Sequence, residues 1–298
     1  MKRLVVLAGV IGLGVAAIAA NSLRAQPAPA AGPPVAEIQK VKENLFVITG
    51  GGGNTAAFVT TTGVVIVDTK LAGWGQAILD KIRTVTNKPV THIINTHTHG
   101  DHVGSNEFFA PSVEIVAHEN TAANMKKMPA LQGADKAHAH VDRTYSGTLT
   151  LLSGAERIDL YHFGSGHTNG DTIVVFPALK TAHTGDLFAA PATPLIDTNN
   201  GGSGVAYPET LRKAAAGIAG VDTVIPGHSA VTDWKAFTEF GAFNAAFLDA
   251  VKAARAAGKT ADEAAASLVL PEPFKPYGLN RAKDNVAKIY AELAAGGR

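Results

Sequence analysis

His97-Thr98-His99-Gly100-Asp101-His102 places three imidazoles and a carboxylate within six residues, directly after the β-branched run Thr91-His92-Ile93-Ile94-Asn95. Side chains two apart on an extended segment point the same way, so His97 and His99 can reach one ion together. Gly100 lets the backbone bend sharply, which can redirect Asp101 and His102 toward a second position. Imidazole and carboxylate are the ligands a borderline cation such as Zn²⁺ accepts. Burying four such groups unpaired would be costly, so a structural reading of the cluster is disfavoured. Three later segments repeat the theme of a strand followed by a polar group: His167 in Gly164-Ser165-Gly166-His167, Asp186 at the end of Thr181-Ala182-His183-Thr184-Gly185-Asp186, and His228 behind Ile225-Pro226-Gly227. The chain has no cysteine, which removes disulfides, thiolate ligands and cysteine nucleophiles together. Any metal must therefore be held by nitrogen and oxygen.

Elements that could carry these groups follow from the hydropathy pattern. Strands are expected at Leu45 to Thr49, Thr55 to Thr61, Val64 to Val67, Val90 to Asn95, Val113 to Ala117, Asp159 to Phe163, Thr172 to Phe176, Thr181 to Thr184 and Val221 to Ile225. Apolar residues at helical spacing predict helices over Trp74 to Thr84 and Glu209 to Gly217. Beyond Trp234 the chain turns helical, with Phe237, Phe240, Phe243, Phe247 and Val251 on one broad apolar face and further helices at Ala261 to Leu268 and Arg281 to Ala295. Strands interleaved with helices over the first two-thirds imply a layered α/β domain. Gly50 to Gly53 reads as a hairpin tip or a flap. Asn199 to Gly204 lacks the Gly-Lys-Ser/Thr of a phosphate loop and is expected to wall the groove. His183 is close enough in sequence to Asp186 to support it, and His118 is expected to begin a helix.

The first residues resemble a targeting segment. Lys2 and Arg3 precede an apolar run from Leu4 to Ala20 and a small-residue exit near Ala25, so residues 1–25 are expected to be a signal peptide. Residues 26–36, almost wholly Pro, Ala and Gly at first, form a linker to a domain over 37–298, of which 234–298 is a helical extension. The mature protein is expected in the periplasm or secreted, with no stable membrane partner after cleavage. A net charge of +1 gives no bulk attraction to nucleic acid. The expected partner is a small-molecule substrate, and the oligomeric state stays open.

A strand followed by His-x-His-x-Asp-His, then Gly-His-Thr, a Gly-Asp strand end and Pro-Gly-His, resembles the metallo-β-lactamase superfamily over roughly residues 37 to 230. The strand Val64 to Asp68 belongs to the same pattern. The resemblance implies a four-layer αββα sandwich with metals at one edge between the sheets. It assigns one ion to His97, His99 and His167 and a second to Asp101, His102 and His228, with Asp186 bridging both. It further implies two Zn²⁺, with iron or manganese as alternatives, and hydrolysis of a cyclic amide or ester by metal-held hydroxide. Asp101 would orient the nucleophile or deliver a proton. Members with β-lactamase activity often carry a lysine three residues after the Asp186 position to grip the substrate carboxylate; here Ala189 stands there. β-Lactams are the first expectation, lactones or other esters and thioesters the alternative, and iron-dependent dioxygenase chemistry a remoter one.

Overall fold

The structure, a computed structural model, describes residues 35–296. The expected signal peptide and all but the end of the linker lie outside the described residues. In chain order the first sheet comprises β1 (Glu37–Lys42), β2 (Leu45–Thr49), β3 (Thr55–Val59), β4 (Val64–Val67), β5 (Val90–Asn95), β6 (Glu114–His118) and β7 (Arg143–Tyr145). Helices α1 (Gly75–Arg83), α2 (Gly100–Val103) and α3 (Glu119–Met125) lie between its strands in sequence. The second sheet holds β8 (Thr148–Leu151), β9 (Ile158–Tyr161), β10 (Ile173–Phe176), β11 (Thr181–Gly185), β12 (Thr223–Pro226) and β13 (Thr232–Asp233), with α4 (Tyr207–Gly217) inserted before β12. The chain then finishes in α5 (Trp234–Ala256), α6 (Ala261–Ala266) and α7 (Ala282–Ala295).

The seven strands of the first sheet are ordered as in the chain, and the second runs β13-β12-β11-β10-β9-β8. Strand β4 shows why the layers form. All four of its residues are apolar and buried, so both of its faces need cover. Val65 and Val67 face the other sheet, joining Phe58, Ile94, Leu160, Val174 and Ile225. Val64 and Ile66 face the opposite way and pack on Ile78 and Ile82 of α1. The second sheet repeats the arrangement. Val174 and Phe176 point to the shared core, where the Phe58 and Phe176 ring centroids lie 5.1 Å apart. Ile173 and Val175 pack outward against Leu211 of α4 and Phe237, Phe240 and Phe243 of α5. Each such side chain withdrawn from water contributes roughly 1.5–3 kcal/mol. The result is the four-layer αββα sandwich, with a helical extension in which α5, α6 and α7 share a satellite cluster around Val251, Val286 and Ile289.

Strand direction determines where the polar motifs emerge. β4, β5 and β6 are mutually parallel, so their C-terminal ends share one edge. β11 and β12 are parallel, and β9 runs with them because both β9 and β11 are antiparallel to β10. Chain segments leaving β4, β5, β9, β11 and β12 thus carry Asp68, His97, His167, Asp186 and His228. The sheets are tied at this edge by Thr172 N donating to Thr96 O (2.9 Å) and Asn54 N donating to Gly227 O (2.7 Å). Among the described residues no helix is long and apolar enough to cross a membrane.

Candidate metal centre

The structure brings all seven sequence-derived donors together in two groups. His97, His99, His167 and Asp186 form one and Asp101, His102 and His228 the other, with donor atoms inside each group within 4.8 Å of one another. One carboxylate touches both: Asp186 Oδ1 lies 3.3 Å from both His102 Nε2 and His228 Nε2, and its Oδ2 lies 3.7 Å from His167 Nε2. Asp101 Oδ2 is 3.3 Å from His228 Nε2. Four of the donors, His97, His102, His167 and Asp186, are buried, whereas the Asp101 and His228 side chains keep about a third of their surface open.

What surrounds the rings decides which nitrogen each presents. His102 Nδ1–H donates to Asp68 Oδ2 (2.7 Å), which leaves Nε2 facing the centre. His167 Nδ1–H donates to Leu195 O (2.7 Å) and also frees Nε2. His99 is turned the other way: Nε2–H donates to Asp197 Oδ2 (2.7 Å), so Nδ1 is the available donor atom. Thr96 Oγ1 donates to Asp68 Oδ2 (2.7 Å) and can accept from His97 Nδ1–H at 3.0 Å. His97 Nε2 then has no hydrogen-bond partner although it is buried, and the same holds for Asp186 Oδ1. Orphaned acceptors are expensive in a protein interior. His167 Nε2 and His99 Nδ1 face each other at 2.9 Å, lone pair against lone pair, an arrangement that only a cation or a proton relieves. These residues fit a metal centre of the nitrogen and oxygen type.

Electrostatics agree with that chemistry. Burial pushes the His97 imidazole well below its usual range and takes His167 down to about 4, so both present lone pairs at neutral pH. Burial works against charge on His102 too, but the Asp186 and Asp68 carboxylates outweigh it and hold its pKa well above normal. His228 is raised by the Asp186 carboxylate 3.3 Å away, against burial. Burial alone would raise the Asp186 carboxyl; the His102, His228 and His167 rings reverse this and hold it well below the usual carboxylate range.

Glycines let the backbone approach the donors. A Cβ on Gly53 would lie 2.1 Å from His102 Cε1, and one on Gly227 only 1.9 Å from Asp186 Oδ1. The run Gly50 to Gly53 is therefore packed against the Trp74 ring and His102, with Gly53 N donating to Asp101 O (3.0 Å). Asp68 itself has φ +62, a left-handed conformation that aspartate tolerates better than most residues. It swings the carboxylate under Thr96 and His102.

Sequence reasoning missed Asp197, which fixes His99. The Asn199 to Gly204 segment holds Asp197 in turn, through Asn199 N (3.0 Å) and Asn200 Nδ2 (2.6 Å). The signal was present as an Asp-Thr-Asn-Asn turn, but nothing in the sequence linked it to a histidine 98 positions away. His183 does not reach the Asp186 carboxylate: its Nε2–H donates to Asn54 O (3.1 Å) and its Nδ1 accepts from Gly185 N (3.2 Å). His118 caps α3 by accepting from Asn120 N (3.2 Å).

Two cavities flank the centre and share Asp101 and His228. One, of about 710 Å³, is lined by Leu71, Val103, Met128, Ala130 and Leu131 beside Gly52 and Gly100. The other, of about 330 Å³, is lined by His99, His167, Asp186, Ala189, Thr193 and Leu195, and by Asn280 and Arg281 from the helical extension. A bond presented over the donors would thus have an apolar wall on one side and a polar one on the other.

Residues 48–229 match the family model described as "Metallo-beta-lactamase superfamily". The chain is 31% identical over 167 residues to the 2,4-dinitroanisole O-demethylase subunit alpha of Nocardioides sp. (strain JS1661), covering 53% of this chain and 48% of that protein, so it spans about half of that relative. It is 26% identical over 182 residues to metallo-beta-lactamase IND-1 of Chryseobacterium indologenes, covering 59% of this chain and 70% of that one. Among solved structures, the stereoselective inverting sec-alkylsulfatase Pisa1 from Pseudomonas sp. superposes with a TM-score of 0.74 at 16% identity. That match covers 86% of this chain and 50% of the sulfatase, and at this identity it speaks to the fold.

Proposed function

The chain belongs to the metallo-β-lactamase superfamily, and from that premise we propose that it is a metal-dependent hydrolase of small molecules, working as a dinuclear zinc enzyme that opens a cyclic amide or ester, β-lactams first. One observation carries the dinuclear reading: the Asp186 carboxylate lies between the two donor groups, with Oδ1 toward His102 and His228 and Oδ2 toward His167. In this reading His97, His99 and His167 hold one ion and Asp101, His102 and His228 the other. All-nitrogen-and-oxygen donors with three histidines on one ion suit zinc, although iron and manganese accept the same set. Bound there, such ions would acidify coordinated water to a pKa of about 7 and polarise the scissile carbonyl.

The protein's own residues account for the rest. Asp68, Asp197 and Leu195 O hold His102, His99 and His167 in fixed tautomers, so donor geometry is set before substrate arrives. Asp101 is the donor carboxylate with an open side chain, and it borders both cavities. We assign it a second duty: orienting the attacking water and passing a proton to the leaving nitrogen or alkoxide. Asp101→Asn is expected to retain part of the metal while turnover falls by orders of magnitude. Wild-type kinetics in that variant would remove the role.

Ala189 supports a second reading, a lactonase or other ester or thioester hydrolase. It lines the smaller cavity where β-lactam-opening relatives often carry lysine. A chromogenic cephalosporin assayed beside a lactone panel, with and without chelator, separates the two. Fast chelator-sensitive opening of the cephalosporin supports the β-lactam reading. Rapid lactone cleavage with no cephalosporin turnover favours the other. The Lys2-Arg3 start and the apolar run to Ala20 support export as part of the same proposal. Mass spectrometry of the mature N-terminus tests it: a start near Gln26 is expected, and an intact Met1 would refute it.

A further inference from the structure

The helical extension lies beyond the family-matched residues 48–229, yet it reaches the centre. Its α7 and the turn before it grip the segment from Pro191 to Asp197. Gly278 O accepts from Thr193 N (2.7 Å), Arg281 N donates to Thr193 Oγ1 (3.0 Å), Asn285 Nδ2 donates to Pro194 O (2.9 Å) and Lys288 Nζ donates to Ile196 O (2.8 Å). That segment carries Leu195 O and Asp197, the partners of His167 and His99. The main chain of Arg281 is therefore fixed relative to the metal donors.

Its side chain is not committed elsewhere. Arg281 is exposed, lines the smaller cavity beside His99, His167 and Asp186, and its guanidinium has no ion-pair or hydrogen-bond partner among the described residues. Among the described residues it is the only lysine or arginine lining either cavity at the centre. The two carboxylates of that cavity, Asp101 and Asp186, face the histidines. An unpaired, planar, five-donor cation at the mouth of a hydrolytic centre matches a carboxylate in geometry and charge.

We propose that Arg281 is a specificity-determining residue that binds a carboxylate carried by the substrate beside the bond to be cleaved. Asn280, on the same cavity wall, supplies a further polar contact. The proposal rests on the hydrolase reading above and narrows it: the preferred cyclic amide or ester is anionic. It also gives the helical extension a function, since the extension supplies a cationic contact on a wall where Ala189 has none. Placing the charge on α7's leading turn rather than on the strand end sets the anion on the Thr193 side of the cavity.

The test compares a chromogenic cephalosporin with its methyl ester, and a carboxylate-bearing γ-lactone with its methyl ester, in wild type, Arg281→Met and Arg281→Lys. Wild type is expected to favour each acid over its ester. The acid-to-ester ratio of kcat/KM should fall about 10- to 100-fold in Arg281→Met, the value of a charge-assisted hydrogen bond. The loss should sit in KM, with partial rescue by lysine and unchanged metal content. Calorimetric binding of the ring-opened cephalosporin to metal-depleted protein should weaken by a similar factor. A ratio and a binding constant within twofold of wild type in Arg281→Met would overturn the proposal while leaving the hydrolase reading in place. If wild type cleaves neither pair, the substrate-bond reading fails instead. The calorimetric comparison then still decides the role of Arg281.

Discussion

Asp68→Asn tests how the centre holds its ligands, because the replacement keeps shape and removes charge. The buried Asp68 carboxylate accepts from Thr96 N (2.8 Å), Thr96 Oγ1 (2.7 Å) and His102 Nδ1 (2.7 Å). In the variant the amide oxygen can still take Thr96 N, but the NH₂ meets Thr96 Oγ1 and His102 Nδ1 as a donor. Both neighbours can adapt. The threonine hydroxyl rotates and accepts, and His102 moves its proton from Nδ1 to Nε2. The amide's own bonds are then satisfied and only the Thr96 hydroxyl proton loses its acceptor, so the metal-depleted fold should lose only about 1–2 kcal/mol. To bind metal at Nε2 the ring must return its proton to Nδ1, where the amide NH₂ now opposes it. Affinity at the second position should therefore fall 10- to 100-fold, the usual cost of losing a partner behind a metal-binding histidine, or about 1.4–2.7 kcal/mol. Asp68→Ala leaves the donors unpaired and should instead destabilise the metal-depleted protein by roughly 2–5 kcal/mol. Competition titrations with a chromophoric zinc chelator, beside urea unfolding of depleted protein, give both numbers. Wild-type zinc affinity in Asp68→Asn would refute the tautomer argument.

Two further outcomes follow from the same geometry. Gly227→Ala drives a Cβ to 1.9 Å from Asp186 Oδ1 and 2.9 Å from the Gly185 backbone, so the Asp186 carboxylate must move. Metal content measured by mass spectrometry should drop and turnover should fall at least tenfold; a fully metallated, fully active variant would contradict the placement of Asp186. The second concerns pH. His102 and His228 hold protons above their ordinary pKa, His102 under Asp186 and Asp68 and His228 through Asp186. Bound metal must displace those protons, so zinc affinity should rise with pH through neutrality and zinc binding should release protons at pH 7. Calorimetry in buffers of differing ionisation enthalpy measures the number released. Proton uptake, or none, would count against these assignments.

The donor cluster was legible because its chemistry is concentrated in residue type. His97 to His102 stand out by residue type alone, and the apolar residues at β4, β5 and β12 announce strands that deliver the donors. What stayed hidden was relational or short. β1, Glu-Ile-Gln-Lys-Val-Lys, is a largely solvent-facing edge strand whose pattern carries little apolar signal. β7 and β8 are three and four residues long, and α2 is a single turn inside the metal motif itself. Asp197 and Arg281 are ordinary surface-type residues by sequence. They gain meaning only because α7 folds back on the Pro191 to Asp197 segment, a contact of some 90 residues' separation. The run Gly50 to Gly53, expected as a hairpin tip or a flap, joins the antiparallel strands β2 and β3, while its close approach to His102 and Trp74 carried no sequence signal.

The most direct test of the account is turnover followed while zinc is titrated into metal-depleted protein, with the cephalosporin and lactone panel as substrates. A two-metal hydrolase shows no hydrolysis at the start and a rise that saturates at two equivalents per chain. Hydrolysis at full rate in the depleted protein, or saturation with no zinc retained, would contradict it.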